Sequence, residues 1–381
     1  MIKFHHAMLS PVLEIVRGTE TIVPTGGHTS FQKLWESEIE SHVKDITDSA
    51  EFTEKEKKKT RQILSLVSDA MELFLHAAEN PSWISMTKEQ RFAKVKSIQE
   101  APQIPQRSQA WYENYSKVLT ASEFVALFSQ TKRRRDLVYS KVNPPSEQCS
   151  NFRLACPTDE MNALSWGIRF EPVIKQLLEH RDKCKIFEPG RLQHPSNTHL
   201  AASPDGVIEN SIHPQQIGRL VEIKCPYSRV IGGEIPSEYW IQMQIQMEVT
   251  DIDECEYIEA TLVSRKANQT EPVDLSGTTF QGILYLLENK TQSGDYKYIY
   301  GDVGSTDSPS IPDGYMCVET IPWGLKTWHR KIVSRDRAWY EATKPWQEAF
   351  WNDVERVKKG EEIQTQTPKL KPITPCLIVD D

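Results

Sequence analysis

Two carboxylates and a lysine occur at a spacing that suits hydrolytic chemistry. Asp205 lies in the turn 203–206 (Ser-Pro-Asp-Gly), and Glu222 and Lys224 lie in the later apolar segment 221–225. Alternate residues of a strand point to the same face, so Glu222 and Lys224 are expected to share a face. Two neighbouring carboxylates attract a hard divalent cation such as Mg²⁺, which prefers oxygen ligands. A lysine beside that ion can position or deprotonate an attacking water, so this set predicts metal-dependent phosphodiester hydrolysis.

A third carboxylate, Glu171, lies in segment 161–175, which has the pattern of a helix. Glu171 is predicted to lie on the same helical stripe as Leu164 and Ile168. A glutamate on an apolar face is usually paired or bound to a metal. A salt bridge to a neighbouring arginine is the simpler alternative. Gly167 is expected to let this helix approach a sheet closely.

Two glutamines follow in segment 240–247, where glutamine alternates with apolar residues. Alternation suits a strand, but the length and the methionine content favour a helix. Gln242 and Gln246 are then neighbours on one helix face. One of them is expected to reach the metal site, and the other to contact a group behind it or the strand backbone.

The carboxylates need strands to hold them. Segment 199–208 predicts a strand, a short turn and a second strand, and segment 218–225 predicts the next strand. The residues 213–216 between them predict a surface hairpin loop. Each motif alone is common, but a Pro-Asp-Gly turn followed by Glu-x-Lys within this frame points to one site.

Residues 119–123 predict the start of a helix. Thr120 would be the N-cap, with Glu123 completing a capping box. The pattern leaves two interpretations open: a well-capped helix, or a phosphate site made by the free amides and the Ser122 hydroxyl. The basic run 132–135 is predicted to close the same helix, either as a solvated cap or as a contact with the DNA backbone.

The composition sets outer limits on the fold and its location. The chain has 381 residues, 38% of them hydrophobic, which is enough for a sizeable core. A net charge of −8 gives no indication of nucleic-acid binding. It does not exclude such binding either, because an acidic site can lie beside a local basic groove. Seven scattered cysteines without a C-x-x-C pair indicate reduced thiols. No membrane span and no secretory leader are evident, so an intracellular, non-secreted protein is expected.

The chain divides into three predicted parts. Residues 1–100 would form a helical N-terminal extension, residues 101–355 a mixed α/β domain, and residues 356–381 a flexible tail. Prolines in 100–106 predict a linker. The aromatic residues of the C-terminal end could stack on single-stranded bases, but their spacing favours a helical core face. They are Trp323, Trp328, Trp339, Tyr340, Trp346, Phe350 and Trp351.

Five ordered motifs together resemble a known family. They are Trp111 with residues 119–123, Trp166-Gly167 with Glu171, residues 202–206, residues 222–226, and Gln242-x-Gln244. In this order they are similar to phage lambda exonuclease and the YqaJ-type viral recombinases. These proteins belong to the PD-(D/E)xK nuclease superfamily, which includes the alkaline nucleases of large DNA viruses. The resemblance implies a restriction-endonuclease-like α/β core, a central mixed sheet flanked by helices, with an extra helical N-terminal domain.

The resemblance also implies the metal ligands. Asp205 and Glu222 would hold a first Mg²⁺ or Mn²⁺ together with the backbone carbonyl of Ile223, and Glu171 would complete a second position. Two ions per site are therefore expected. An iron–sulfur cluster is not expected, because only Cys317 and Cys376 lie late in the chain.

The remaining roles concern the water and the DNA end. Lys224 would orient or activate the attacking water, and Gln242 would place that water or the scissile phosphate. Thr120 and Ser122 match the helix start that binds the 5′-phosphate in this family. The family usually has an arginine where this chain has Tyr115. Lys117 or Arg107 could replace that arginine, but a lysine lacks its bidentate fork.

The implied activity is a 5′-to-3′ exonuclease on duplex DNA ends that leaves a 3′ single strand for recombination. A single-strand annealing protein is the implied partner, and a ring-shaped homotrimer is a possible assembly. Two alternatives remain open: a structure-specific or flap endonuclease of the same superfamily, and a non-catalytic DNA-binding relative.

Overall fold

The structure is a computed structural model. It describes residues 53–55, 85–105, 108–129, 132–144, 161–265, 272–305 and 309–363. Most of the predicted helical N-terminal extension, and the tail beyond residue 363, lie outside these ranges. Nothing in the described part is a helix both long and apolar enough to cross a membrane.

Helices and strands alternate along the described chain. The helices are α1 (Lys88–Glu100), α2 (Gln109–Tyr115), α3 (Lys132–Val142), α4 (Ala163–Asp182), α5 (Ser237–Thr250) and α6 (Arg337–Lys358), with 3₁₀ turns at Phe124–Phe128 and Pro214–Gln216. The first strands are β1 (Gln103–Ile104), β2 (Leu119–Thr120), β3 (Cys184–Phe187), β4 (Arg191–Gln193), β5 (Leu200–Ala202) and β6 (Gly206–Ser211). The later strands are β7 (Leu220–Lys224), β8 (Glu254–Ser264), β9 (Phe280–Asn289), β10 (Tyr296–Tyr300) and β11 (Tyr315–Ser334).

A mixed sheet forms the centre of the molecule. In the described residues it has seven strands in the order β10-β9-β11-β8-β7-β6-β3. Only the β7–β8 pair is parallel among these neighbours, and the other pairs are antiparallel. A smaller sheet with the order β1-β4-β5-β2 lies beside it. The predicted α/β class, a central mixed sheet flanked by helices, is confirmed.

Helices cover both faces of β7, the strand that carries the Glu-x-Lys motif. Val221 and Ile223 pack with α4 in one apolar cluster. Leu220 packs with α5 in the other cluster. A strand buried on both faces is expected to be apolar throughout. Glu222, which is fully buried in this strand, therefore requires a specific explanation.

The N-terminal boundary differs from the prediction. Val95 and Ile98 of α1 are buried in the same core as α5, and the Arg91 guanidinium donates to the carbonyl oxygen of Gln215 at 2.9 Å. Residues 88–100 therefore pack with the α/β fold, whereas the prediction places them in the N-terminal extension. The predicted linker contains β1, which pairs with β4. Residues that precede prolines favour extended backbone, which suits a short strand as well as a linker.

The C-terminal boundary also shifts. Helix α6 continues to Lys358, and Ile363 is buried against the core, so the predicted boundary between residues 355 and 356 falls inside the last turn of the helix. The core interpretation of the aromatic residues is confirmed for the side chains that this core buries. They are Trp339, Tyr340, Trp346 and Phe350, all on α6. Trp323 is also buried, but it lies in β11 and in the other apolar cluster, with α4.

The predicted helix start at residue 119 is also wrong. Leu119 and Thr120 form β2, paired in parallel with β5, and a 3₁₀ turn follows at Phe124–Phe128. The basic run begins α3 instead of closing an earlier helix. One of its members, Arg134, is buried and donates to Asp353 of α6 at 2.8 Å. That arginine joins two helices instead of facing solvent as a cap.

Candidate active site

The turn before β6 brings Asp205 to β7. The Ile223 amide donates to Asp205 Oδ2 at 2.7 Å, and Gly206 pairs with Val221 across the two strands. A Cβ on Gly206 would collide with the Ile186 side chain of β3. The glycine is therefore needed for the close approach of β6 to β3. The hydrogen bond from the Ile223 amide holds the Asp205 carboxylate over the backbone of the Glu-x-Lys strand.

Glu222 has a partner at each carboxylate oxygen. The Lys224 ammonium donates to Oε1, and Gln246 Nε2 of α5 donates to Oε2 at 2.7 Å. Glu222 and Lys224 therefore share a face, as strand alternation predicts. A buried carboxylate with a cation and an amide donor is held in one orientation, because loss of either partner would leave a costly unpaired oxygen.

The glutamines of α5 have different surroundings. Gln246 reaches Glu222, whereas Gln242 makes no side-chain hydrogen bond to another described residue. Gln244 points to the opposite side and bonds the junction of β11 and α6, donating to the carbonyl oxygen of Ser334 at 2.8 Å and accepting from the Asp336 amide at 2.6 Å. Residues two apart on a helix point in nearly opposite directions. Gln244 therefore contacts the β11–α6 junction, while Gln246 contacts Glu222.

The Glu171 carboxylate lies within electrostatic range of the other two. Burial raises the pKa of Glu171 to about 7; Lys175 opposes this rise and Glu222 adds to it. Burial, with Glu222 and Glu171, raises the pKa of Asp205 well above its ordinary value. Burial lowers the pKa of Lys224, but Glu222 and Asp205 outweigh it, so the net direction is upward. The site is thus a concentration of negative charge with one ammonium inside it.

Part of the prediction for the α4 stripe does not hold. Leu164 is 60% exposed, and a Cβ on Gly167 would meet nothing within 4 Å, so this glycine does not serve a close helix–sheet approach. Trp166 and Phe170 are the residues of this turn that α4 buries against the sheet. Glu171 follows them at the edge of the buried face, where it is half-buried.

The donor set suits a hard cation. The negative charges of these carboxylates repel one another, and a bound divalent cation would reduce this repulsion. Mg²⁺ and Mn²⁺ prefer oxygen ligands. Gln246 Oε1 is also buried without a donor. Among the described residues, no three His, Cys, Asp or Glu side chains converge as ligands. The oxygens of Asp205, Glu222 and the Ile223 carbonyl are of the type that the predicted metal set requires.

The predicted phosphate residues surround a carboxylate instead of presenting free amides. Glu123 Oε2 accepts from the Thr120 amide at 2.9 Å and from the Thr120 hydroxyl at 2.8 Å. Lys141 of α3 donates to both Glu123 oxygens at 2.9 Å. The Ser122 hydroxyl lies 3.4 Å from that of Thr120. The capping box is only half formed, because Lys141 and β2 fix Glu123 and Thr120 through tertiary contacts.

Two buried cations lie around Tyr115 that the sequence did not single out. The Lys141 ammonium lies 3.7 Å from the centroid of the Tyr115 ring. The Arg191 guanidinium of β4 lies 4.1 Å from the Trp111 centroid and donates to the carbonyl oxygen of Trp111 at 3.2 Å. Burial and the charge of Glu123 raise the pKa of Tyr115 to about 12, so its hydroxyl stays neutral. Lys117 is exposed.

No local sequence signal could have found Arg191, because it reaches Trp111 through the pairing of β4, β5 and β2. It supplies a guanidinium near the position where the family's arginine is missing. That Lys117 or Arg107 could replace that arginine stays a prediction, and the Lys117 side chain is exposed. Arg107 lies outside the described residues.

A family comparison covers the same stretch of chain. The model of the YqaJ-like viral recombinase domain matches residues 110–253. This part of the chain is therefore similar to the YqaJ-like viral recombinase domain. The match contains each predicted site residue, from Tyr115 to Gln242, whereas α1, the strands from β8 onward and α6 lie outside it. The recognition made from the ordered motifs is confirmed.

The curated relative is viral. The uncharacterized protein R354 of Acanthamoeba polyphaga mimivirus is 24% identical over 310 residues, which are 69% of this chain and 55% of the relative. The chain thus spans about half the length of that relative.

Two solved structures are similar to the chain. The alkaline exonuclease LHK-Exo from Laribacter hongkongensis is 17% identical, with a TM-score of 0.40, and the match covers 66% of this chain and 95% of that one. A phage-related exonuclease from Haemophilus somnus 129PT is 13% identical, with a TM-score of 0.36, and the match covers 64% and 96%.

Proposed function

We propose that this chain is a metal-dependent DNA exonuclease that acts from 5′ to 3′ on duplex ends and leaves a 3′ single strand for recombination. The observation that carries this proposal is the buried Glu222 held by Lys224 and Gln246, with Asp205 tied to the same strand. A buried charged cluster of this kind usually costs stability. Such a cluster is therefore a candidate functional site. Its position inside a YqaJ-like domain supports phosphodiester hydrolysis as that chemistry.

The carboxylates would hold the metal. Asp205, Glu222 and the Ile223 carbonyl would hold a first Mg²⁺ or Mn²⁺ and Glu171 a second, and the two ions together would stabilise the attacking and leaving oxygens. Lys224 would orient the attacking water for in-line approach to phosphorus. Gln242, whose side chain has no hydrogen bond within the described residues, would bind that water or the scissile phosphate.

The DNA end would lie near Tyr115. The hydroxyls of Thr120 and Ser122 would bind a terminal phosphate. Arg191 and Lys141, both buried beside Glu123, would supply the positive charge that the missing arginine provides elsewhere in the family. Arg191 keeps the planar fork that suits a phosphate.

Partners and assembly follow from the resemblance. A single-strand annealing protein would receive the 3′ strand, and a homotrimer would enclose the duplex. The protein would act inside the cell, where its DNA substrate is.

Digestion of labelled DNA tests the proposal. Linear duplexes with a 5′-phosphate or a 5′-hydroxyl, and a closed circle, would be incubated with purified protein and Mg²⁺, with a chelator control. We expect stepwise loss of nucleotides from the 5′-phosphorylated duplex, no attack on the circle, and no reaction with the chelator. Cleavage of the circle would support the endonuclease alternative instead.

Two substitutions connect the activity to the site. Asp205→Asn and Lys224→Met should each lower the turnover number by at least about a hundredfold, because each removes a group proposed to act at the reacting phosphate. Degradation that continues at the wild-type rate in both variants would show that the activity lies elsewhere.

A further inference from the structure

The loop between β7 and α5 holds an arginine beside the candidate active site. Arg229 Nη2 donates to Glu259 Oε1, and the Tyr257 hydroxyl donates to the same oxygen at 2.5 Å. Glu259 is the register partner of Lys224 in the parallel β7–β8 pair. Arg229 is therefore anchored on the strand next to the one that carries the catalytic lysine.

Arg229 and Lys224 both approach the same aromatic ring. The Lys224 ammonium lies 5.0 Å from the centroid of the Tyr239 ring, and the Arg229 guanidinium lies 5.7 Å from the same centroid. The Tyr239 ring in turn stacks on Tyr257, with centroids 6.1 Å apart. The two cations are thus positioned relative to each other by one packed unit.

The anchor is much more buried than the arginine it holds. The Glu259 side chain is 2% exposed, whereas the Arg229 side chain is 40% exposed. A buried carboxylate fixes a guanidinium far better than an exposed one does. A guanidinium has five donors in a planar fork, so Arg229 can bind Glu259 on one side and present the rest of the fork to solvent.

The chemistry of the site calls for such a cation. A DNA strand that reaches Lys224 must approach the Asp205, Glu222 and Glu171 carboxylates, which repel its phosphates. Lys224 is engaged by Glu222. A fixed and partly exposed guanidinium nearby provides what a phosphodiester needs, because arginine binds phosphate oxygens in bidentate fashion.

We propose that Arg229 binds the phosphodiester next to the one that is cleaved, and that Glu259 and Tyr257 position it for this contact. This inference rests on the proposed nuclease function. The ligand is a phosphate of the DNA backbone, so the contact fixes the register of the strand without reading its sequence.

Steady-state digestion at a series of salt concentrations tests the contact. Arg229→Gln should raise the KM for linear duplex about tenfold at low salt, since it removes a charge-assisted hydrogen bond. It should also lower the slope of log KM against log salt by about one, because one phosphate contact is lost. Arg229→Lys should keep the salt slope and recover only part of the KM, because the charge remains without the fork.

Two further proteins separate binding from folding. The double variant Arg229→Gln/Glu259→Gln leaves no buried carboxylate without its cation. Its slope of log KM against log salt should match that of Arg229→Gln, because both variants lack the same phosphate contact. Arg337→Gln is the control: Arg337 pairs with Asp253 at 2.7 Å. Asp253 directly precedes β8, whereas Glu259 lies at the middle of that strand, so this variant should leave both KM and slope unchanged.

The outcomes are distinct. A wild-type protein that does not degrade DNA overturns the proposed function itself. A wild-type protein that degrades DNA, with an Arg229→Gln variant of unchanged KM and slope, overturns only the role of Arg229. A raised KM with an unchanged slope would show a loop-stabilising role and would likewise overturn the phosphate contact.

Discussion

At the scale of single residues, a short pattern predicted a contact at the centre of the candidate site because β7 is regular. Strand alternation alone places Glu222 and Lys224 on one face, and they meet there. The pattern could not tell Gln242 from Gln246, since both share a helix face and only the position of α5 over β7 decides which one reaches Glu222. Arg191 and Arg229 were not predicted, because their partners come from distant strands.

Gln246 offers a sharp test at this scale. Gln246→Met removes the donor to Glu222 Oε2 while nearly preserving volume, so Glu222 loses its fixed orientation. Groups that orient metal-binding carboxylates typically contribute about 10- to 100-fold to activity. We therefore expect the turnover number at saturating DNA and Mg²⁺ to fall by this factor, and the Mg²⁺ concentration for half-maximal activity to rise.

Gln244→Met is the matched control. It lies on the same helix, is 1% exposed, and loses two hydrogen bonds of its own. The variant should be destabilised by about 1–3 kcal/mol with an unchanged turnover number and Mg²⁺ dependence. If both variants lose activity equally, Gln246 has no special role at Glu222.

At the scale of elements, the predicted helices and strands agree with the structure where the apolar residues follow a single helical or strand period. They disagree where tertiary contacts override a local signal. Helices α4 and α5 and strands β6 and β7 appear where expected, because each is long or is bounded by a clear turn. The segment at residue 119 fails, because pairing with β5 and the Lys141–Glu123 ion pair override its capping signal. The prolines of the predicted linker likewise allow β1 to pair at a sheet edge.

Two glycines of these elements should respond in opposite ways to alanine. Gly206→Ala places a methyl group against Ile186 of β3, so β6 must shift. We expect a loss of roughly 1–3 kcal/mol of stability and a lower activity, because Asp205 precedes this residue. Gly167→Ala meets open space within α4 and should gain up to about 1 kcal/mol. Denaturant unfolding of both variants measures these effects, and a destabilised Gly167→Ala would restore the close-approach interpretation.

At the scale of the whole molecule, segments outside the YqaJ-like match are bound to it by a charged cluster. Arg335, between β11 and α6, donates to Glu248 at 2.6 Å and to Asp251 at 2.9 Å, both at the end of α5. Lys94 of α1 donates to the same Asp251 at 2.7 Å. His194, which directly follows β4, lies 3.4 Å from Glu248. The cluster joins α1, α5 and the start of α6. The sequence predicts α1 in the N-terminal extension and the other two helices in the α/β domain.

This cluster predicts a pH dependence of stability. Burial raises the pKa of Glu248, but His194 and Arg335 outweigh it and hold the pKa below its ordinary value. A carboxylate with a lowered pKa in the folded state stabilises the fold above its unfolded pKa, and this contribution is lost as the pH falls through the folded value. Wild-type stability should therefore decline in the acid range below the ordinary glutamate pKa. Glu248→Gln should cost about 1–2 kcal/mol at neutral pH and show a shallower acid decline. Urea unfolding at a series of pH values measures both slopes, and parallel curves for the two proteins would mean that Glu248 does not couple these segments.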